Sequence, residues 1–377
     1  MKAQSTFSLK DQLFNAEKVD YLATRIEAVY PEFPGEAFRT SVTAAFPALE
    51  LKQRIAHITA TLRTCLPDRY RAALAILLEA LPPELDPGRK DDDFGDFIFA
   101  PLALFVATYG CTAEHLGVSL HALREITRRF SAEDAIRYFL NAFPAETLAF
   151  LRECAVDDHY HVRRLASEGT RPLLPWAQRL KIDYHLPLPI LDTLFTDSTR
   201  YVTRSVANHL NDISKLDPEL VIETLGRWRE MQGQTPEELR FITRHALRTL
   251  IRRGHPAALQ LFGYEEDADV TIVQLATRTP RVRVGNAFEF TVTLRTSRRQ
   301  KLLIGYVMTF AGGGRAPRQK VFRLKEMEAA AGEAVTLVKA HPMRLMTTRR
   351  LHAGTHRITL QVNGQPRGSL DFELLAE

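Results

Sequence analysis

Apolar residues recur at three- and four-residue spacing from Leu9 to about Gly263, in segments broken by Pro and Gly. The spacing is clear in Tyr70 to Leu81 and in Leu102 to Tyr109. Because an α-helix has 3.6 residues per turn, this spacing places the apolar side chains on one helical face. The pattern therefore predicts an all-α region over most of the chain.

The character of the sequence changes after Tyr264, where alternating or β-rich runs are separated by Gly, Pro, Asn and Ser. The runs are Val270 to Leu275, Phe288 to Leu294, Leu302 to Phe310, Ala334 to Val338 and His356 to Val362. About seven short strands in roughly 110 residues are typical of an immunoglobulin-like β-sandwich. We predict a helical domain over residues 1–264, an acidic linker from Glu265 to Ala268, and a sandwich over residues 269–377.

The helical region repeats itself. Three similar segments begin at Val162, Val202 and Ile242, so that they are spaced by 40 residues twice over. This is the length of a HEAT repeat, in which helix pairs stack into a solenoid with a long concave surface. The predicted fold is therefore a HEAT-like-repeat solenoid followed by an all-β immunoglobulin-like sandwich.

The charge of the chain is unevenly distributed. The segment from Thr277 to Leu351 has 16 Lys and Arg against four Asp and Glu, a local balance of +12 against +5 for the whole chain. The rest of the chain is therefore net acidic. Such asymmetry favours a polyanionic partner such as nucleic acid, although a solvated, solubilising surface has the same composition.

The start of the sequence has no basic, apolar and small-residue succession typical of a secretion signal, and no stretch reaches the roughly 18 apolar residues of a membrane span. We expect a cytoplasmic protein without a membrane partner. Its three cysteines, Cys65, Cys111 and Cys154, are far apart and form neither a disulfide framework nor a metal motif.

The repeats carry a stripe of basic residues interrupted by acidic ones. If the apolar positions face the core, another face of the three equivalent helices presents Arg164 and Glu168, then Arg204, Asn208 and Asp212, then Arg244, Arg248 and Arg252. Cations on adjacent repeats can follow the phosphates of a duplex. In the basic domain, Arg298, Arg299, Arg349 and Arg350 fall in predicted loops and are further candidates for DNA contact.

The carboxylates in this stripe oppose binding to phosphate and need an explanation. Glu168 with Arg164, and Asp212 with Lys215, have the helical spacing of surface ion pairs, which stabilise a protein by a few tenths of a kcal/mol each. Alternatively, the carboxylates face a cation, either a methylated base or the positively charged sugar that forms as its glycosidic bond breaks.

Trp176 follows two helix-ending prolines, Pro172 and Pro175. Its ring can present an aromatic face to a cation. A tryptophan buried in the core is the competing interpretation.

Other motifs point to no further chemistry. His159 and His161 lie beside two aspartates without another ligand at the usual spacing, so we predict no metal site. Gly312 to Gly314 lack the following Lys and helix of a phosphate-binding loop. No nucleophile elbow or catalytic-triad spacing is present.

Several segments together resemble the AlkC branch of the alkylation-repair DNA glycosylases. These segments are Leu9 to Leu13, Leu49 to Arg54, Phe105 to Gly110, Glu133 to Arg137 and Arg163 to Trp176. The likeness covers essentially the whole chain, and its most specific part is Ser-Glu-Gly-x-Arg-Pro-x-x-Pro-Trp, residues 167–176. The predicted β-domain also fits this branch.

The resemblance implies a monofunctional glycosylase that removes small cationic bases such as 3-methyladenine, 3-methylcytosine or 1-methyladenine. It implies no metal or organic cofactor, and a monomer acting on double-stranded DNA that contains alkylated bases. Carried over by motif, Glu133, Glu168, Trp176 and Asp212 would surround the lesion, with Arg164, Arg204 and Lys215 near the DNA backbone. The lesion would be exposed by bending of the DNA, and the β-domain would complete a clamp around the duplex.

Two other classes of function remain open. One is a non-catalytic nucleic-acid-binding protein that keeps the scaffold, and the other is a helical-repeat adaptor whose concave face binds a protein. Both would bind a partner without releasing a base. The acidic residues at the motif positions favour the enzyme, because a pure DNA clamp would have basic or neutral residues there.

Overall fold

The computed structural model describes residues 8–88, 94–312, 316–344 and 351–376. Helices form the first part of the chain and strands the last, as the sequence predicts. The helices are α1 Leu9–Leu13, α2 Ala16–Val29, α3 Gly35–Ala45, α4 Leu51–Cys65, α5 Tyr70–Glu79, α6 Ala100–Gly110, α7 Leu116–Thr127, α8 Ile136–Ala142, α9 Pro144–Cys154, α10 Tyr160–Glu168, α11 Leu188–Leu194, α12 Arg200–Ile213, α13 Pro218–Met231, α14 Pro236–Ala246, α15 Arg248–Arg253 and α16 Pro256–Gln260. Short 3-10 helices lie at Phe46–Ala48 and Phe97–Phe99.

The helices α10, α12 and α14 carry the three repeated segments and pack side by side in that order. At the start of each of the first two helices, the side chain of a preceding aspartate accepts a backbone N–H group. Asp157 Oδ1 accepts the backbone N–H of His159 at 2.8 Å, and Asp197 Oδ1 accepts that of Thr199 at 2.7 Å. Such bonds satisfy backbone donors that a helix start leaves without intrahelical partners.

The same aspartates link neighbouring repeats. Arg124 Nε donates to Asp157 at 2.6 Å, and Arg163 Nε donates to Asp197 at 2.5 Å. Both carboxylates are withdrawn from solvent, so each arginine satisfies a buried charge as well as connecting two helices. The repetition seen in the sequence therefore has a counterpart in the contacts between repeats.

The strands form two sheets, one in the order β1-β3-β6 and the other in the order β2-β8-β7-β4-β5. The strands are β1 Val270–Thr277, β2 Arg281–Arg283, β3 Ala287–Thr296, β4 Gln300–Phe310, β5 Arg318–Ala329, β6 Ala334–Pro342, β7 Gly354–Val362 and β8 Gln365–Leu375. All pairs are antiparallel except β2 with β8. Side chains from both sheets, including Phe288, Tyr306 and Phe372, share one core, which makes the domain a sandwich.

The chain divides into two compact units. The first contains residues 1–216 and 224–246, and the second contains residues 217–223 and 247–377. The second unit includes α15, which packs on β5, and α16, which packs on α15. At Gly254, a Cβ atom would lie 2.4 Å from Cα of Gly364 in the β7-β8 turn, so a side chain would clash there. The boundary predicted from the sequence, between residues 264 and 269, marks the change from helix to strand. The boundary between the compact units lies earlier in the chain.

Candidate active site

The predicted carboxylates Glu168 and Asp212 lie in the first unit, near the ends of α10 and α12. Glu168 is 4% exposed and Asp212 is 2% exposed. The ion pairs expected from the helical spacing are present, with Arg164 Nη2 3.6 Å from Glu168 Oε1 and Lys215 Nζ 3.1 Å from Asp212 Oδ1. The interpretation of these pairs as surface ion pairs is excluded, because both carboxylates are buried.

The two pairs are joined by Arg171, in the segment after α10. Its Nη1 donates to Glu168 Oε1 at 2.6 Å, and its Nε donates to Asp212 Oδ2 at 2.9 Å. At the other end, Arg164 Nη1 lies 2.6 Å from Glu133 Oε2. The result is an alternating series of charges, named here the ion-pair chain: Glu133, Arg164, Glu168, Arg171, Asp212 and Lys215.

The ion-pair chain keeps Glu168 ionised. Burial acts to raise the pKa of this carboxyl, but the charges of Arg164 and Arg171, with hydrogen bonds from Ser205 and Arg171, outweigh burial and hold the pKa below its usual range. The site therefore holds an anion away from water. An anion in such a place stabilises a developing positive charge more strongly than it would in solvent.

Arg164 lies inside this site and not at the protein surface. It is 6% exposed, and its guanidinium lies 4.5 Å from the ring centroid of Tyr201 and 5.7 Å from that of Phe94. The side chains of Glu133 and Lys215, at the two ends of the ion-pair chain, retain 27% and 33% exposure. Solvent therefore reaches the two ends of the ion-pair chain more than its centre.

Trp176 is 81% exposed, which excludes the interpretation of a tryptophan packed in the core. Its backbone has φ 62°, a left-handed conformation that costs a residue with a side chain roughly 1–2 kcal/mol. Lys52 of α4 donates to the Trp176 carbonyl and lies 3.1 Å from the Asp134 carboxylate. The backbone that carries the exposed indole is thus held in a specific geometry.

Arg137 of α8 fixes the segment that carries Trp176. This fully buried arginine donates to the carbonyls of Gln178 at 2.7 Å, Gly169 at 3.1 Å and Arg171 at 2.8 Å. Burial lowers its pKa to about 10. Arg137, Arg171 and Lys52 lie in the segments that carry the family resemblance, but their roles were missed because their partners lie in other elements.

The remaining predicted cations are dispersed. Arg204, Arg244 and Arg248 are half-buried, and each interacts with neighbouring groups. In the sandwich, exposed Arg298 lies 2.5 Å from Glu265, and exposed Arg299 lies 2.8 Å from Glu328. Arg349 and Arg350 lie outside the described residues.

Within the described ranges, no group of three or more His, Cys, Asp or Glu side chains has the arrangement of a metal site. His159 and His161 are buried, and the His159 Nε2 atom lies 3.1 Å from the Leu85 carbonyl. None of the helices in the described part of the chain combines the length and hydrophobicity that a bilayer span requires.

The chain is similar to known proteins over its whole length. A family model described as the C-terminal Ig-like domain of the uncharacterised protein YhaZ matches residues 271–376. YhaZ of Bacillus subtilis (strain 168) is 33% identical over 367 residues, which cover 96% of this chain and 98% of YhaZ.

A solved structure extends the comparison. The Pseudomonas fluorescens alkylpurine DNA glycosylase AlkC, bound to DNA containing an abasic site analog, is 35% identical with a TM-score of 0.86. The match covers 98% of this chain and all of that one. It spans both the helices that hold the ion-pair chain and the sandwich. The chain therefore belongs to the AlkC-type family of alkylpurine DNA glycosylases.

Proposed function

We propose that this protein is a monofunctional DNA glycosylase that hydrolyses the N-glycosidic bond of small cationic alkylated bases in duplex DNA. The substrate we expect first is 3-methyladenine, followed by 3-methylcytosine and 1-methyladenine. The observation that carries the proposal is the buried, ionised Glu168 within the ion-pair chain of an AlkC-type protein. We further propose that it acts as a monomer in the cytoplasm.

The chemistry requires stabilisation of a cation more than it requires a general acid. A 3-methyladenine base in DNA carries a positive charge, because its methyl group is on a ring nitrogen that bears no hydrogen, so it leaves with the glycosidic electron pair as a neutral molecule. The barrier lies in the oxocarbenium-like sugar left behind. Water then adds its oxygen to C1′ and releases one proton, which leaves an abasic site and an unbroken strand.

Glu168 and Asp212 are the groups we assign to the sugar cation. They come from successive repeats, and Arg171 bridges them through two short hydrogen bonds. Carboxylates fixed in this way stabilise positive charge with little reorganisation, and one of them can orient the attacking water. Neutral bases, which are poor leaving groups, would escape excision because the site offers no strong acid for them.

Trp176 is the group we assign to the cationic base. Its exposed indole can stack on, or lie over, a positively charged ring. Lys52 and Arg137 hold the backbone of its segment, so this backbone would not have to be ordered when the lesion binds. Glu133, the partly exposed end of the ion-pair chain, completes the set of candidate lesion contacts.

The sandwich supplies the second part of the proposed DNA-binding surface. Its segment from Thr277 to Leu351 has the local balance of +12, and Arg298 and Arg299 are exposed. A cationic surface of this kind binds phosphates without regard to base sequence and with strong salt dependence. The helical cations Arg204, Arg244, Arg248 and Lys215 are the proposed phosphate contacts of the repeats, whereas Arg164 is assigned to the carboxylates that surround it.

The test is base release from methylated duplex DNA by the purified full chain at low salt, in the presence of a chelator. We expect 3-methyladenine in the soluble fraction by chromatography, intact strands until the abasic sites are cleaved by alkali, and no release from unmethylated DNA. Binding of the duplex without any released base would overturn the proposal in favour of a non-catalytic DNA-binding protein. Neither binding nor release would favour the adaptor.

A further inference from the structure

The neighbouring helix α12 contacts Glu168 through a serine hydroxyl. Ser205 Oγ donates to Glu168 Oε2 at 2.6 Å, and the two residues are 2% and 4% exposed. The arginines approach the other oxygen, since Arg171 and Arg164 lie 2.6 and 3.6 Å from Oε1. We propose that Ser205 is a positioning residue that holds the Glu168 carboxylate in its working orientation. This inference rests on the proposed glycosylase function.

Within the repeat, Ser205 occupies a buried position. It is equivalent to fully buried Leu165 of the preceding repeat and to half-buried His245 of the following one. A hydroxyl buried at a core position is unfavourable unless it forms a hydrogen bond. The Glu168 carboxylate provides that bond. The carboxylate is therefore the group that makes a buried hydroxyl favourable at this position.

Ser205 belongs to a buried network that fixes the end of α10. Its oxygen lies 3.0 Å from the Ser167 hydroxyl oxygen, and a carboxylate can only accept, so the single Ser205 proton lies toward Glu168. One turn further along α12, His209 Nδ1 lies 3.1 Å from the Ser167 carbonyl. Burial lowers the pKa of His209 to about 4, so the ring is neutral and its Nδ1–H donates to that carbonyl.

The helix α12 thus holds both the Glu168 side chain and the backbone immediately before it, and the same helix carries Asp212. A shift of α12 relative to α10 would change the separation of the two carboxylates. Because electrostatic stabilisation depends on preorganised geometry, we expect the loss of one positioning bond to slow base release while leaving DNA binding intact.

The pH dependence follows from the groups that surround Glu168. These groups are Arg164 on α10, Arg171 in the following segment, Glu133 before α8, and Tyr201, Ser205, His209 and Asp212 on α12. Burial raises the pKa of Glu168, while the two arginines and the Ser205 hydroxyl lower it. Removing the hydroxyl leaves Oε2 buried without this donor, so the carboxylate would accept a proton at a higher pH.

The experiment compares single-turnover 3-methyladenine release by the wild-type chain and by Ser205→Ala across a range of pH. We expect a rate about 10-fold lower at neutral pH, and an acid limb displaced upward by about one pH unit. Ser214→Ala is the matched control, because Ser214 is also buried at the end of α12 but donates to the Asn211 carbonyl at 2.9 Å. It should keep the wild-type rate and acid limb.

A double-mutant cycle separates positioning from a general structural role. In a Glu168→Gln background, Ser205→Ala should cause no further loss, because the hydroxyl acts through the carboxylate. The same fold loss in both backgrounds, or a wild-type rate and pH profile for Ser205→Ala, would overturn the proposal. If Ser205→Ala does not fold, Ser205→Cys replaces it. The thiol is of similar size and a weaker donor, so it should shift the acid limb in the same direction by less.

The ionisation of Glu168 can be measured without enzymatic activity, so the role of Ser205 can be tested separately from the glycosylase function. The carboxyl titration of Glu168 can be followed by carbon-13 NMR in the free protein, with Glu168→Gln used to assign the signal. A higher titration midpoint in Ser205→Ala supports the positioning role even if the wild-type protein releases no base. An unchanged midpoint overturns the positioning role even if base release is confirmed.

Discussion

The two units of this protein differ in how far their ion pairs are exposed to solvent. In the helical unit, Arg164 and Glu168 retain 7% and 6% side-chain exposure within the ion-pair chain. In the sandwich, Arg357 and Asp371 form a short pair with 57% and 46% exposure, and Arg299 is 76% exposed. The first arrangement removes ionised groups from water and fixes their directions. The second leaves charges where they act at a distance and are screened by salt.

We infer from this difference that the two regions have separate functions. A buried ion pair loses hydration that its attraction only partly restores, so it is a poor means of gaining stability. It is well suited to presenting a carboxylate in one direction, as catalysis of a cationic reaction requires. An exposed, mostly basic surface lacks that directional control but attracts a polyanion efficiently.

The largest expected effect comes from breaking the ion-pair chain. Arg164→Met leaves Glu133 and Glu168 without their shared cation, and we expect the free energy of unfolding of the helical unit to fall by about 3–5 kcal/mol. The matched variant Arg357→Met breaks an exposed pair and should leave the unfolding midpoint unchanged. Denaturant unfolding followed by circular dichroism measures both. Equal, small effects would show that burial does not distinguish the two pairs.

A smaller effect is expected at Trp176, which is exposed although it belongs to the candidate site. Trp176→Ala should slow excision by about 10-fold through loss of the contact with the cationic base. The free energy of unfolding should change by less than about 0.5 kcal/mol, because little packing is lost at an exposed position. Trp228→Ala is the contrasting variant. Removing this fully buried ring should lower the free energy of unfolding by about 3–5 kcal/mol. An excision rate unchanged by Trp176→Ala would remove the indole from the site.

The smallest effect concerns the sandwich. Replacing Arg298 and Arg299 together by Gln should weaken duplex binding several-fold and lower the log-log salt slope by about one unit per lost phosphate contact. The rate at saturating enzyme should hardly change. Binding titrations at several salt concentrations measure the slope. A wild-type slope would exclude these arginines from the DNA surface. Truncation after Glu265 is a poorer test, since α15 and α16 belong to the same compact unit as the strands.

Sequence patterns were sufficient for the architecture because local periodicity encodes it. The 40-residue repeat located α10, α12 and α14, and alternation located β3 and β4. Two long strands were missed. In β5, charged residues outnumber apolar ones and the pairing with β4 shifts at Gly305, while β8 contains Pro366 and Gly368. These features interrupt the alternation from which strands are predicted.

The sequence proposed residues for the candidate site but did not reveal their environment. Helical periodicity separated Val162 and Leu165 from Arg164 and Glu168 as if one face met solvent, yet both faces of α10 are buried. Whether a charged face is covered depends on α12 and on the segment after α10, which periodicity does not reveal. For the same reason periodicity identified no contact partner for Ser205 or for Arg171, although Arg171 belongs to the motif of residues 167–176. Both matter through contacts with other elements.

The most direct measurement is single-turnover release of 3-methyladenine by Glu168→Gln and by Asp212→Asn, beside the wild-type chain. Each change keeps the size of the side chain and removes its charge. For at least one of them we expect a loss on the order of 100-fold or more, with duplex binding unchanged or tighter and with folding confirmed by a melting curve. Wild-type rates for both folded variants would contradict the assignment of the buried carboxylates to base excision.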